Sequence, residues 1–568
     1  MRRAKTDVLI LGAGGAGLFA ALHAKRAHPE LSVTIAVKGL LGKCGCTRMV
    51  QGGYNVALAE GDSVERHFMD TIEGGKWLPD QELAWTLVTK AIERIHELEN
   101  ELGCFFDRNP DGTIHQKAFA GQTFDRTVHK GDLTGIEIIN RLAEQVWVSG
   151  VERLEEHRAV ELAKSADGAI AGVVMIDMRE GDFVFVQARS VLLATGGGPT
   201  MYRYHTPSGD KSCDGLAMAL RAGLTLRDME MVQFHPTGLL AGAGTRMTGT
   251  VLEEGLRGAG GYLLDAKRER FMHKYDPRNE RATRDIVSRS MFAEMRAGNA
   301  TPNGGLYISM SHLGPANVRA SFKGMVERCA DCGFDLAGGL VEVVPTAHYM
   351  MGGVEFNGDC TTSIEGLFAA GEDTGGVHGA NRLGGNGVAN STVFGAIAGD
   401  AMAKWTASEG AWREPEGGVL DEARARASAP LSRPPGDLEA IREELYRTMW
   451  EDAGIVRDAS SLARAESSLR EIHARLLATG IHGGDLRYNL TWHDWLNLAS
   501  LADVSAAICT AARARTDSRG AHFREDHPET GDLARSEFTR VKMEGRNLAI
   551  SWKPVEFTRV RPGASLVG

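Results

Sequence analysis

The sequence predicts an α/β protein: a doubly wound, largely parallel sheet that is left for an inserted α+β domain, re-entered, and followed by a helical domain. Three observations carry this prediction. A glycine cluster from Gly12 to Gly17 closes a short apolar run and opens a segment of helical periodicity. Strand-like runs between residues 173 and 194 resume only at Gly366–Ala370, so the sheet leaves and returns. Beyond residue 438 the apolar pattern is helical.

Taken in order, Asp7–Leu11 is the first strand, and the helix after the glycines extends to about His28, with Leu18, Ala21, Leu22 and Lys25 at helical spacing. Val33–Val37 is a second buried strand, completing strand, glycine turn, helix, strand. Further strands fall at Val173–Met178, Phe183–Ala188, Val191–Ala194 and Gly366–Ala370. The expected division is a first part of the sheet domain at 1–235, an inserted domain at 236–348, the return at 349–405, a Pro-, Gly- and charge-rich linker at 406–437, a helical domain at 438–530 and a tail at 531–568. Helices are expected within Leu438–Leu477 and Trp492–Arg513. Trp77, Trp492 and Trp495 read as core or interface.

A chain of 568 residues exceeds one core and calls for three or four units at roughly 100–200 residues each. The formal net charge of −10 offers no basic face, which excludes nucleic acid as a partner. Eight irregularly spaced cysteines fit a reducing compartment, so the cytoplasm is expected. The basic and apolar start reads as folded structure rather than a signal peptide, and no uninterrupted apolar run is long enough to span a membrane. Cys44 and Cys46 sit too close for a tetrahedral metal pair, and Cys329 and Cys332 form a lone CxxC, so no metal site is expected.

Gly12, Gly14 and Gly17 match GxGxxG after a strand: a tight turn, close approach of a pyrophosphate, and tight helix–strand packing with the helix N-terminus facing the anion. After the second strand, Ala36, Val37 and Lys38 stand where a nicotinamide site shows an acidic residue. The turn in "SVLLATGGG", with Thr195 and Gly196, and the segment "GLFAAGEDTGGVHGANRLGGNGVANS", with Glu372, point to a flavin instead.

The blocks "GAGGAGL", "QGG", "LLATGG", "VQFHPTG", "EGLRGAGGYLL", "TRDIVSRS", "PTAHYMMGGV", "HGANRLGGN" and "RARTDSRGAHFREDHPE" occur in order along nearly the whole chain. Together they resemble the flavoprotein subunit of succinate dehydrogenase and fumarate reductase, a family that also contains L-aspartate oxidase. The resemblance implies a Rossmann-like FAD-binding domain, an inserted capping domain and a C-terminal helical domain. It implies FAD, held by Gly12, Gly14, Gly15, Gly17, Lys38, Cys46, Thr47, Gln51, Gly52, Gly53, Thr195, Gly196, Asp214, Glu372 and Asn386.

A flavin working on a double bond between carboxylates needs groups that hold the carboxylates and an acid on the face opposite the hydride. The resemblance assigns His235, His348 and Arg382 to the carboxylates, Phe119 to packing on the substrate, and Arg284 to the proton. Glu254 and Arg257, spaced E-x-x-R, match a relay that refills Arg284. The arginine-rich stretch 513–524 is expected to pair with Asp517, Glu525 and Asp526 and to pin the helical region to the flavin domain.

Two departures from the family follow. Cys46 stands where respiratory members carry the histidine bonded to the flavin, so FAD held non-covalently is favoured, with a thioether through Cys46 as the alternative. Glu253 stands where a threonine helps bind a distal carboxylate, and an unpaired anion there would repel it by about 4 kcal/mol at roughly 4 Å and an effective dielectric of 20. A longer loop than the family's between His235 and Glu254, "LLAGAGTRMTGTVLE", borders the same pocket.

The function expected is interconversion of a saturated dicarboxylate-like substrate and its α,β-unsaturated form by hydride transfer at flavin N5 and proton transfer through Arg284. A separate iron–sulfur subunit or another electron-transfer partner is implied, with peripheral placement at the inner membrane through such partners. The alternatives are oxidation of an amino dicarboxylate such as L-aspartate and, from another class, a non-catalytic flavin-binding scaffold of a redox complex.

Overall fold

The computed structural model describes residues 1–567 except 243, 244, 246 and 546. Arg2–Leu11 is the first strand, and its buried end, Val8 to Leu11, pairs in parallel with Val33–Val37 on one side and Asp182–Leu193 on the other. The helix Gly15–Ala27 follows the glycine turn and packs against the long helix Asn386–Ser408. That packing lays the returning segment over the glycine loop.

The main sheet has seven strands, ordered Glu152–Glu155, Val33–Val37, Arg2–Leu11, Asp182–Leu193, Ile170–Asp177 and His157–Lys164, with Leu367–Ala369 beside Asp182–Leu193. The two strands expected at 183–188 and 191–194 are one strand, Asp182–Leu193. Arg189 and Ser190 interrupt its apolar pattern because their side chains are bonded elsewhere, Arg189 to Asp7 at 3.0 Å and Ser190 to Thr406 at 2.7 Å. This strand changes partner along its length: residues 182–187 pair antiparallel with Ile170–Asp177, and 191–193 pair in parallel with Leu367–Ala369. The exchange lets the chain return to the sheet.

The intervening segment builds an antiparallel sheet ordered Val232–Leu239, Leu340–Met350, Leu306–Ser309 and Tyr262–Leu264. It has its own apolar core, including Leu239, Leu256, Phe271, Met291, Ile308 and Val343. Burial of such side chains contributes about 1.5–3 kcal/mol each. The helix Arg284–Glu294 packs on the first of these strands, where Ser288 donates to the Phe234 carbonyl at 3.0 Å.

Residues 406–437, expected as a linker, contain the helix Val419–Ser428, with Ala423 and Ala427 buried. Trp492 Nε1 donates to the Ala427 carbonyl at 2.8 Å, which fixes this helix to the helical region. Short alanines among charges gave little apolar periodicity to read. The helical region comprises Leu438–Asp452, Ala459–Ala478 and Leu490–Ala514, and Trp77, Trp492 and Trp495 are all buried. Leu490–Ala514 is, among the described residues, the one helix long and apolar enough to cross a membrane, yet 67% of its most apolar window is buried inside the fold. Residues 531–568, expected as a tail, carry the hairpin Glu537–Glu544 and Asn547–Pro554, which extends a sheet with Leu226–Arg227 and Gly353–Val354.

The arginines of 513–524 pair as expected with Asp517 and Asp526, through Arg515 at 3.2 Å, Arg519 at 2.9 Å and Arg524 at 2.6 Å. Arg515, Arg519 and Arg524 are nevertheless buried, and Arg515 also reaches Glu230 at 2.6 Å, so the anchor lies inside the protein, whereas Arg513 is exposed and pairs with Glu466. Glu525 pairs instead with Arg296 at 2.7 Å.

Gly17 sets the helix against the first strand: a methyl group there would lie 1.9 Å from the Gly12 carbonyl oxygen. Gly17→Ala is therefore expected to destabilise by about 1–3 kcal/mol through overpacking. The measurements are a lower melting temperature and less FAD retained on purification.

Candidate active site

One continuous cavity of about 600 Å³ runs from the glycine loop to the meeting of the sheet domain with the inserted domain. At its first end lie Gly12, Gly14, Gly15, Lys38, Cys46, Thr47, Gln51, Gly52, Gly53, Thr195, Gly196 and Asp214. At its other end lie Phe119, His235, Glu253, Glu254, Arg284, His348 and Arg382, with Glu372 also in the wall. The cavity thus gathers nearly all of the positions named from the sequence.

Three do not line it. Gly17 is spent on helix–strand packing, and Arg257 lies one bond behind Glu254. Asn386 is turned away: its side chain bonds to Asn55 at 2.9 Å, His67 at 3.0 Å and Thr71 at 3.1 Å, inside the protein. These bonds tie the helix Asn386–Ser408 to neighbouring elements, and they occupy the amide that was expected at the cofactor.

The first end suits a dinucleotide. The helix Gly15–Ala27 begins at the cavity with no side-chain cap and no acidic residue in its first turn, leaving its positive end to an anion. Gln51 Oε1 is buried without a partner in the same wall. Thr47 Oγ1 accepts from the Gly15 N–H at 3.1 Å and holds the two sides of the loop together. Lys38 donates to Asp214 at 3.0 Å and Ser212 at 3.1 Å, while Asp214 also receives Arg158 at 2.7 Å. Burial pulls the Lys38 amine down to about 8 against the pull of Asp214. Asp373, unremarked in the sequence, accepts from the backbone of Thr195 and Gly196, and so shapes that turn. Glu372 accepts from the Met350 and Gly198 N–H groups at 3.0 and 3.3 Å, and burial raises its carboxyl to about 7. The Cys46 thiol, pushed up to about 12 by burial and then by Glu372, is held as S–H.

The second end is an ordered charge cluster. Glu254 commits one carboxylate oxygen to Arg257 Nη2 at 2.9 Å and the other to Arg284 Nη2 and Nε at 2.7 and 3.2 Å. Burial opposes its ionisation, but Arg284 and Arg257 more than offset that and hold its pKa below the usual carboxylate range. Arg284 Nη1 donates at 2.9 Å to Gln233 Oε1, whose amide donates in turn to the Arg382 carbonyl at 2.7 Å. Gln233 stands in "VQFHPTG" two residues before His235 and on the same side of the strand, a signal the sequence offered through its period of two.

His235 and His348 stand with ring centroids 5.3 Å apart. Both pKa values lie well below 6.5, through burial first and then neighbouring arginines, so both rings are neutral. The Thr237 N–H donates to His235 Nδ1 at 3.3 Å, which leaves Nε2–H as the donor. His348 Nδ1 bonds Thr206 Oγ1 at 2.8 Å. Arg382 lies 4.3 Å over the Tyr349 ring, and burial followed by Arg284 lowers its pKa to about 10. Glu253 is buried, and its Oε2 accepts from Lys117 Nζ at 2.9 Å. Lys117 went unnoticed in the sequence although it lies two residues before Phe119. Of the long loop between His235 and Glu254, residues 243, 244 and 246 lie outside the described residues, while Thr250 and Val251 line the cavity.

An uncapped glycine loop joined by one cavity to buried arginines and neutral histidines is the layout of a dinucleotide-dependent oxidoreductase. Its lineage is shown by comparison: residues 7–388 match the FAD binding domain family and residues 442–566 the fumarate reductase flavoprotein C-terminal family. A component of the CoM/CoB fumarate reductase of Methanothermobacter marburgensis is 39% identical over 95% of this chain and 97% of its own length. The flavoprotein subunit of the 8-methylmenaquinol:fumarate reductase of Wolinella succinogenes is 35% identical, over 98% of this chain and 91% of its own. Among solved structures, the flavoprotein of Escherichia coli quinol fumarate reductase superposes with a TM-score of 0.93 at 32% identity, covering 99% of both chains. The chain belongs to the succinate dehydrogenase and fumarate reductase flavoprotein family and is an FAD-dependent oxidoreductase acting on CH–CH bonds.

Two tests follow from the geometry. A methyl group at Gly384 would lie 2.0 Å from Glu254 Oε2 and 2.9 Å from Arg284 Nη2, so Gly384→Ala is expected to lower kcat at least tenfold with FAD still bound. In the free enzyme kcat/KM is expected to fall as pH rises through about 10, where Arg382 loses its proton and the carboxylate its cation. A pH profile of initial rates checks the second, and Arg382→Lys should move that limb.

Proposed function

We propose that this chain is the catalytic flavoprotein subunit of a fumarate reductase- or succinate dehydrogenase-like enzyme, interconverting a C4 dicarboxylate and its α,β-unsaturated form. The observation that carries this reading is the Arg257–Glu254–Arg284 series opening on the same cavity as His235, His348 and Arg382. Bound FAD supplies the two-electron donor or acceptor. The residues that would hold it are Gly12, Gly14, Gly15, Lys38, Thr47, Gln51 and Glu372, and the Cys46 thiol supports non-covalent binding because a thioether requires the thiolate.

His235 Nε2–H, His348 and Arg382 bind and orient the substrate carboxylates, and Phe119 closes one wall. Arg284 gives a guanidinium proton to the substrate carbon, or takes one in the reverse direction. A free guanidinium is a very weak acid, with a pKa of about 12.5–13.8, but a carbanion between two carboxylates is a strong base. The proton lost is replaced along the series, Arg257 Nη2 giving one to Glu254 Oε1 as Glu254 Oε2 passes one to Arg284, and Arg257 regaining its own from bulk water. The separate oxygens of Glu254 fit this traffic, since each faces a single arginine.

Charge balance favours a dianion. Arg257, Glu254 and Arg284 together carry one positive charge and Arg382 a second, Lys117 offsets Glu253 and Arg328 offsets Asp132, the histidines add none, and Glu372, raised to about 7, adds none when protonated. Two net positive charges match two carboxylates. Convergence of so many polar groups in one buried pocket argues against a non-catalytic scaffold. The relatives' names as subunits support a second protein as electron partner; the family resemblance makes an iron–sulfur subunit the expected one, with this chain peripheral at the inner membrane through it.

The expected assay result is fumarate-dependent oxidation of reduced viologen, with no peroxide formed from L-aspartate; the opposite pattern assigns the chain to amino dicarboxylate oxidation. Arg284→Ala should lose at least a hundredfold in kcat while keeping its flavin spectrum. After acid precipitation the yellow colour should stay in the supernatant, and a yellow pellet would establish a covalent link.

A further inference from the structure

Adjacent in sequence, Glu253 and Glu254 are both buried in the wall of the substrate end of the cavity, and their partners differ. Glu254 is matched by two arginines, whereas Glu253 has Lys117 at 2.9 Å. Lys117 comes from the sheet domain and Glu253 from the inserted domain, so the pair bridges the cleft. The ammonium is further placed by the Gly131 carbonyl at 3.3 Å and lies 5.8 Å from the Phe119 ring centroid. The other charges facing Glu253 are Asp132 and Glu254, both anionic, and the same wall holds Arg328, whose guanidinium donates to the Val251 carbonyl at 3.2 Å.

We propose that Lys117 and Glu253 act as one substrate-specificity element, in which the lysine keeps a buried carboxylate in the pocket wall from repelling the dianionic substrate. The inference rests on the reading of the site as a dicarboxylate pocket. Burial raises the Glu253 pKa above the usual carboxylate value, and Lys117 is the chief influence that holds the group toward its ionised form. With Lys117 in place, the substrate end keeps its two net positive charges. Without it, one of them is lost to an unpaired anion, and Asp132 and Glu254 offer no compensation. Lys117 is thus a positioning residue that acts through Glu253, and its effect falls on substrate binding rather than on the proton step. The series Arg257–Glu254–Arg284 does not include it.

The test uses the FAD-loaded enzyme and four variants: Lys117→Met, Lys117→Arg, Glu253→Thr and the double variant Lys117→Met with Glu253→Thr. Succinate binding is read by perturbation of the flavin absorbance, and KM and kcat for fumarate are measured with reduced viologen. Lys117→Met should weaken succinate binding and raise KM at least tenfold, with kcat within threefold of the parent. Lys117→Arg should return both to within threefold, and so should the double variant, because removing the anion removes the need for its cation. Glu253→Thr alone should bind succinate no more weakly than the parent. An unchanged KM in Lys117→Met, or a double variant as impaired as the single, overturns the proposal; the latter would make the pair a mere latch between domains. If Lys117→Met does not retain FAD, Glu253→Thr decides, and a tenfold loss of succinate affinity in it overturns the proposal. A parent enzyme that binds neither succinate nor fumarate refutes the dicarboxylate reading itself, a result distinguishable from any of these.

Discussion

The site depends on the carboxylate of Glu254 being shared between two arginines in a dry place. A lone buried carboxylate would take up a proton, and a lone buried guanidinium would cost several kcal/mol in desolvation. Together, with each oxygen of Glu254 given to a separate arginine, they stay charged at positions set by hydrogen bonds of 2.7–3.2 Å. The arrangement is local in sequence on one side, since Glu254 and Arg257 share one turn of helix, and distant on the other, since Arg284 starts a separate helix. The inserted domain has its own apolar core, which positions both.

The sheet domain supplies the complementary half. Arg382 lies in the segment that follows the strand Leu367–Ala369, and Phe119 in an excursion between helices of the first part. Gln233 joins the halves by accepting from Arg284 and donating to the Arg382 carbonyl. A single amide thereby ties the Arg284 guanidinium to the backbone of Arg382. The glycine-rich turn around Gly384 leaves room for Glu254 and Arg284 at a distance any side chain would block.

Much of this was legible in the sequence because its signals are local. The glycine loop and the strand Val33–Val37 follow from spacing and hydrophobic runs alone, and the block "HGANRLGGN" carries both an arginine and the glycines that let neighbours approach it. What was missed depends on pairing across the chain. Nothing near Lys117 announces that its partner is Glu253, and Asp373 cannot be seen to hold the Thr195 turn from a position so distant in sequence. Asn386 is the converse case: a polar residue in a telling block whose amide is taken by Asn55, His67 and Thr71. Likewise the helix Val419–Ser428 and the hairpin after residue 537 read as linker and tail, because their stability comes from the surfaces they cover.

Neutral histidines complete the electrostatic design. Histidine cations would add to the charge of a pocket already holding three arginines, and burial beside those arginines prevents this by keeping His235 and His348 unprotonated. As neutral rings they can offer hydrogen-bond donors to the cavity without changing its net charge. Apart from Lys117, which is paired with Glu253, the cations that remain are guanidinium groups, which stay charged near neutrality. The positive charge of the pocket is therefore carried by arginines that do not titrate near neutrality, while Glu372 in the wall, raised to about 7, does. In the proposed reaction the proton comes from Arg284, the guanidinium that both faces the cavity and has Glu254 behind it.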